Sequence, residues 1–127
     1  MKISDIHLIQ HQTGITLPDF YVELVTAYPL ELSHSEAVDF GLMSDASAVI
    51  RENLCVRAEG YFGEPWPNQY FIIGHNGCGD YFVIKHATRD FSVGFADHEL
   101  MECRPYASSR VEFIQLLLAD IRSQQAT

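Results

Sequence analysis

The sequence predicts an α+β fold, with a central antiparallel β-meander packed against helices. Three observations carry that expectation. Apolar residues recur at helical spacing before Gly60 and again after Ser109. From Tyr70 onward the period shortens to that of strands. Those strands follow one another through short turns, which pairs neighbours antiparallel. The β-α-β alternation of a doubly wound sheet is absent.

The elements follow in chain order. Ile3, Ile6 and Ile9 mark a short first helix, and Gly14 supplies its left-handed end. Leu17-Pro18-Asp19 opens a second helix, where proline loses no hydrogen bond and aspartate suits the dipole. Phe20, Leu24 and Ala27 continue it, with Tyr21 and Val25 beside them, until Pro29. Glu31 to Ser35 reads as a connection and Val38 to Met43 as a short strand. Ser44 or Asp45 can cap a third helix with an apolar stripe of Ala46, Val49, Ile50 and Leu54, ending at Gly60.

Tyr61 to Gln69 contains Gly63, Pro65 and Pro67 and is expected to be irregular. Tyr70 to Ile73 is a buried strand, His75 to Gly79 a turn, and Asp80 to Ile84 the return strand. Phe91 to Ala96 is a third strand and Leu100 to Cys103 a fourth. Ser108 or Ser109 caps the last helix, whose stripe reads Val111, Ile114, Leu117, Leu118 and Ile121 with Phe113 flanking; residues 124–127 are expected to fray.

The chain has 127 residues, enough for one domain over 1–127. An apolar share of 47% and an aromatic share of 12% exclude a disordered chain. Acidic residues number 17 against 8 basic ones, a net charge of −9. That balance argues against direct binding to nucleic acid or to an anionic membrane. No apolar run approaches a membrane span, and Met1 to Asp5 lacks a secretory apolar region, so a cytoplasmic protein with reduced thiols is expected.

Three chemistries merit weighing. His75, Cys78, His86, His98 and Cys103 invite a metal reading, but their spacing matches no compact zinc motif, so neither metal nor cofactor is expected. Cys78 between Gly77 and Gly79 could be a nucleophile with His98 as base and Asp80 or Asp97 as orienter. Against that, neighbouring carboxylates raise a thiol's pKa, and the two glycines have a plain role in shaping a hairpin. Asp97, Glu99 and Glu102 could meet a basic partner or form a solvated face, with Asp97 and Glu99 on one side of a continuing strand. Trp66, with Tyr61, Phe62 and Tyr70, is either a recognition cluster or a lid on the core.

The ordered segments resemble the SUKH superfamily, the Smi/Knr-type domain. Leu17-Pro18-Asp19-Phe20-Tyr21 with Leu24 carries the likeness first, then Trp66 and the block from Phe71 to Ile84. Within that block Gly79-Asp80 matches the family's Gly-Asp hairpin step, and Asp97-His98-Glu99 resembles a charged end of a later strand. The likeness runs over residues 15–122. It implies an α+β fold without catalytic residues. It further implies an immunity protein that binds and neutralises a cognate bacterial toxin of nuclease or deaminase type. A regulatory or scaffold module of the same fold is the alternative, and a small Cys/His hydrolase a more distant one. A nuclease carries a basic groove, which an acidic inhibitor can occupy. The residues expected to bind such a partner are Asp80, Asp97, Glu99 and Glu102, with Trp66 or Tyr61 as anchors; Gly77 and Gly79 are structural.

Overall fold

The computed structural model describes residues 1–125. Its order is α1 Ile3–Thr13, α2 Asp19–Thr26, α3 Leu30–Ser33, a 3-10 turn Glu36–Val38, α4 Ala46–Glu59, β1 Tyr70–His75, β2 Tyr81–Lys85, β3 Val93–Asp97, β4 Glu102–Ala107 and α5 Arg110–Gln125. The strands form one four-stranded antiparallel sheet in the order β1-β2-β3-β4. The α+β meander is therefore as the sequence predicts. α5 is helical through Gln125, and residues 126–127 of the segment expected to fray lie outside the described residues.

Helix ends obey local chemistry. Gly14 closes α1 at φ 71°, and the Asp45 carboxylate accepts the Ala48 N–H at the start of α4. Ser109 Oγ accepts the Glu112 N–H and settles the cap of α5. Four expectations need correction. Val38 to Met43 is no strand: Ser35 caps the 3-10 turn, and the following segment is irregular. That segment is apolar because Leu42 and Met43 are buried, while only Met43 N–H and Phe40 C=O bond to β1. The supposed connection after Pro29 contains α3. β4 begins later than expected and runs through Pro105, which an edge strand tolerates because its outer side needs no donor. The helix stripes are also rotated. Phe113 is wholly buried in α5 while Val111 is 64% exposed, and α4 turns Asn53 inward and leaves Leu54 at the surface.

Among the described residues, Asn53 is the one buried polar residue of the core. Its Oδ1 accepts the Ile72 N–H at 2.8 Å, and its Nδ2 donates to Ile72 O at 2.9 Å. A side-chain amide thus pairs with β1 as another strand would. The remaining valences are filled by Val49 O, at 2.9 Å from Nδ2, and by Arg57 Nη1, at 2.9 Å from Oδ1. Arg57 Nη2 and Trp66 Nε1 both donate to Tyr70 O, at 2.8 and 2.9 Å. Farther along, Met43 N–H donates to Ile73 O and His75 N–H to Phe40 O. The outer edge of β1 is sealed along its length. The approach is close enough that a Cβ on Gly74 would lie 2.1 Å from Gly41 O.

Two substitutions test this seal. Asn53→Leu conserves bulk but orphans both Ile72 backbone groups, an expected loss of about 2–4 kcal/mol in urea unfolding. Gly74→Ala should be worse, with no cooperative native transition; a midpoint near that of the parent would contradict the observed crossing of residues 41 and 74.

Candidate functional site

The turns after β1 and after β3 lie at the same end of the meander, because β1 and β3 run in the same direction. Asp80 ties them together. Its Oδ1 accepts His98 N–H at 2.9 Å and meets His98 Nδ1 at 2.7 Å. Its Oδ2 accepts Asn76 Nδ2 at 2.8 Å. Asn76 Oδ1 in turn accepts the backbone N–H groups of Cys78 and Asp80. Gly77 and Gly79 take φ of 79° and 101° within this turn. A Cβ on Gly79 would lie 2.9 Å from Phe62 Cζ and 3.2 Å from His98 Nδ1. The Gly-Asp step thus lets a ring and an imidazole close over the hairpin.

The electrostatics follow from this geometry. Partial burial disfavours the Asp80 carboxylate, but hydrogen bonds from His98 and Asn76 outweigh it and hold its pKa below the ordinary value. The Asp80 hydrogen bond raises the His98 pKa, with the nearby charges of Asp80, Glu99 and Asp97 acting the same way against desolvation.

Asp97 is also committed. Its Oδ1 accepts the N–H groups of Glu99 and Leu100, and its Oδ2 accepts Arg104 Nη2 at 3.2 Å. β3 therefore stops at Asp97 and Glu99 sits in a turn, so the two do not alternate along a strand as expected. Glu99 and Glu102 are exposed and make no hydrogen bond or ion pair through their carboxylates among the described residues.

The aromatic group divides in two. Tyr61 and Trp66 are 8% and 9% exposed, with ring centroids 5.2 Å apart and both close to Tyr81. Tyr61 Oη lies 2.6 Å from Gly79 O and 3.1 Å from Ala96 O, so it closes the sheet from beneath the turns. Burial, then Asp80 and Asp97, push its pKa up. The outward ring is Phe62, 61% exposed and stacked on His98 at 4.7 Å. It occupies a tight turn closed by Tyr61 and Glu64, at the unusual φ of 48°. Leu100 and Met101 on the neighbouring turn are also exposed, Met101 at φ 52°. The sequence offers a signal for these residues in its Phe62-Gly63 and Glu99-Leu100-Met101 steps, which place apolar side chains in turns.

Asp80, Asp97 and His98 present ligand atoms within 4.8 Å of one another. Hydrogen bonds within the chain already engage all three. The other histidines and cysteines of the metal reading do not join it: His86 Nε2 meets Asn68 O, and Cys103 lies against Gly94. Cys78 is exposed, and no hydrogen bond links its sulfur to His98. Burial raises the Cys103 pKa, and a hydrogen bond to Glu59 raises that of Cys55.

The model of the SMI1 / KNR4 family (SUKH-1) matches residues 2–116, and the chain belongs to that family. The match takes in α1, which the sequence likeness over 15–122 omitted, and stops within α5. Neither the curated proteins nor the solved structures gave a match.

The Asp80–His98 pair makes stability depend on pH in a stated direction. The Asp80 contribution is present above its ordinary value of 3.8 and is lost as pH falls through the depressed one. The His98 contribution is present below its ordinary value of 6.5 and is lost as pH rises through the raised one. The melting-temperature gap between the parent and His98→Gln should be widest between those ordinary values and shrink on the alkaline side; a gap independent of pH would contradict the pairing.

Proposed function

We propose that this member of the SMI1 / KNR4 (SUKH-1) family is an immunity protein that neutralises a cognate toxin by binding it inside the cell, without catalysis. The reading rests on the family and on one feature of the molecule. The end of the sheet carries exposed Phe62, Leu100 and Met101 beside the unpartnered carboxylates of Glu99 and Glu102. This is the composition of an interface: apolar anchors with charge at the rim. Hydrogen bonds within the chain consume Asp80 and Asp97, so their part is to fix the two turns. The scaffold beneath is preorganised, which lowers the ordering cost of association.

The net charge of −9 supports a basic partner. A toxin that acts on nucleic acid must bind phosphate, and an acidic surface can occupy the same groove. Long-range attraction would speed encounter, and the exposed apolar groups would set the lifetime of the complex.

The two contributions are separable by stopped-flow or surface-binding kinetics with the toxin that co-purifies from the native host. Glu99→Lys with Glu102→Lys should slow association by about tenfold at low salt and flatten its salt dependence. Phe62→Ala should leave association nearly unchanged and speed dissociation by about tenfold. Unchanged kinetics in both variants would place the interface elsewhere, and the absence of any co-purifying toxin that the protein protects against would overturn the immunity reading itself.

A further inference from the structure

A separate cleft of about 650 Å³ lies between the sheet, the 3-10 turn and α5. Its floor is aromatic. Phe82, Phe95 and Tyr106 meet at centroid distances of 4.9 to 6.3 Å, and Phe40 stands at its mouth, 40% exposed. Two carboxylates flank that floor, Glu36 on the 3-10 turn and Asp120 on α5. Asp120 Oδ2 accepts the Tyr106 hydroxyl at 2.6 Å, which fixes it against the ring. Glu36 makes no hydrogen bond or ion pair through its side chain among the described residues.

We infer that this cleft receives an arginine side chain of the protein partner. The chemistry matches at each point. An apolar stem can lie on the rings, a guanidinium is attracted to an aromatic face, and its planar fork suits carboxylates. Arg104 already lies over the Phe95 ring at 5.9 Å with Asp97 as its carboxylate partner, so that ring is taken and the incoming side chain has the Tyr106 side of the cleft, between Glu36 and Asp120. The volume falls in the ordinary range for a ligand pocket, and the chain's net negative charge favours a cation over an anion. This inference rests on the reading of the chain as an acidic binder of a basic protein, and it adds a second point of attachment.

The test uses the full chain and the capped tripeptide Ac-Ala-Arg-Ala-NH2, followed by amide shifts in ¹H–¹⁵N spectra. The expected result is saturable, millimolar binding with shifts confined to residues 36–41, 75–76, 104–106 and 117–123. Glu36→Gln with Asp120→Asn should weaken it about threefold to tenfold, whereas Glu99→Gln with Glu102→Gln removes equal charge elsewhere and should leave it unchanged. Both pairs are exposed, and the parent-like spectra expected of them verify that each variant is folded. Equal binding of Ac-Ala-Glu-Ala-NH2, shifts spread over the whole acidic surface, or no saturation would overturn the proposal. Such a failure concerns the cleft alone, since no toxin is present in the experiment.

Discussion

The pairing of the Asn53 amide with both backbone groups of Ile72 is the constraint on which the other contacts depend. A sheet edge presents unpaired donors and acceptors and recruits another chain unless something covers it. The edge at β4 is blunted by Pro105 and by the charges of Glu102 and Arg104. The edge at β1 is instead closed by α4 and by the segment from Phe40 to Met43. The closure sets where α4 lies, and therefore where the chain leaves it at Gly60 to deliver Tyr61 beneath the turns and Phe62 over them. It also holds the 3-10 turn beside the sheet, which forms one wall of the cleft under α5. The exposed turn end of the sheet and the cleft thus both depend on one buried edge.

A net charge states little until each carboxylate is assigned. By sequence alone Glu99 and Glu102 are candidates for a partner, and so are Asp80 and Asp97. The oxygens of Asp80 and Asp97 are instead occupied by His98, Asn76, Arg104 and backbone N–H groups, and the Asp80 pKa is depressed accordingly. A partner competing for those oxygens would have to break bonds that order two turns. Glu99 and Glu102 carry no such cost. The distinction separates charge that builds the scaffold from charge available for encounter.

The sequence was legible wherever a local rule governs the outcome. Gly14, Asp45, Gly60 and Ser109 bound helices as their conformational preferences dictate, and the glycines flanking Cys78 set the hairpin. Trp66, which the sequence offers as either an anchor or a lid, is 9% exposed with its indole N–H on Tyr70 O. What could not be read depends on neighbours distant in sequence. A polar Asn53 breaks the apolar stripe of α4, yet it is fully buried because its partner is a strand edge 19 positions away. α5 presents Phe113 and not Val111, since its rotation is set by Phe82, Phe91 and Tyr106. The apolar run before Met43 resembled a strand because it packs against one.

The closure of β1 makes a direct demand on exchange. The Ile72 N–H, held by Asn53 Oδ1 at 2.8 Å, should behave as an interior amide although it lies on an outer edge. Native-state hydrogen exchange followed by NMR measures this residue by residue. The account predicts that Ile72 exchanges only through global unfolding, far more slowly than the outward amides of β4. Exchange of Ile72 at the rate of those exposed edge amides would contradict it.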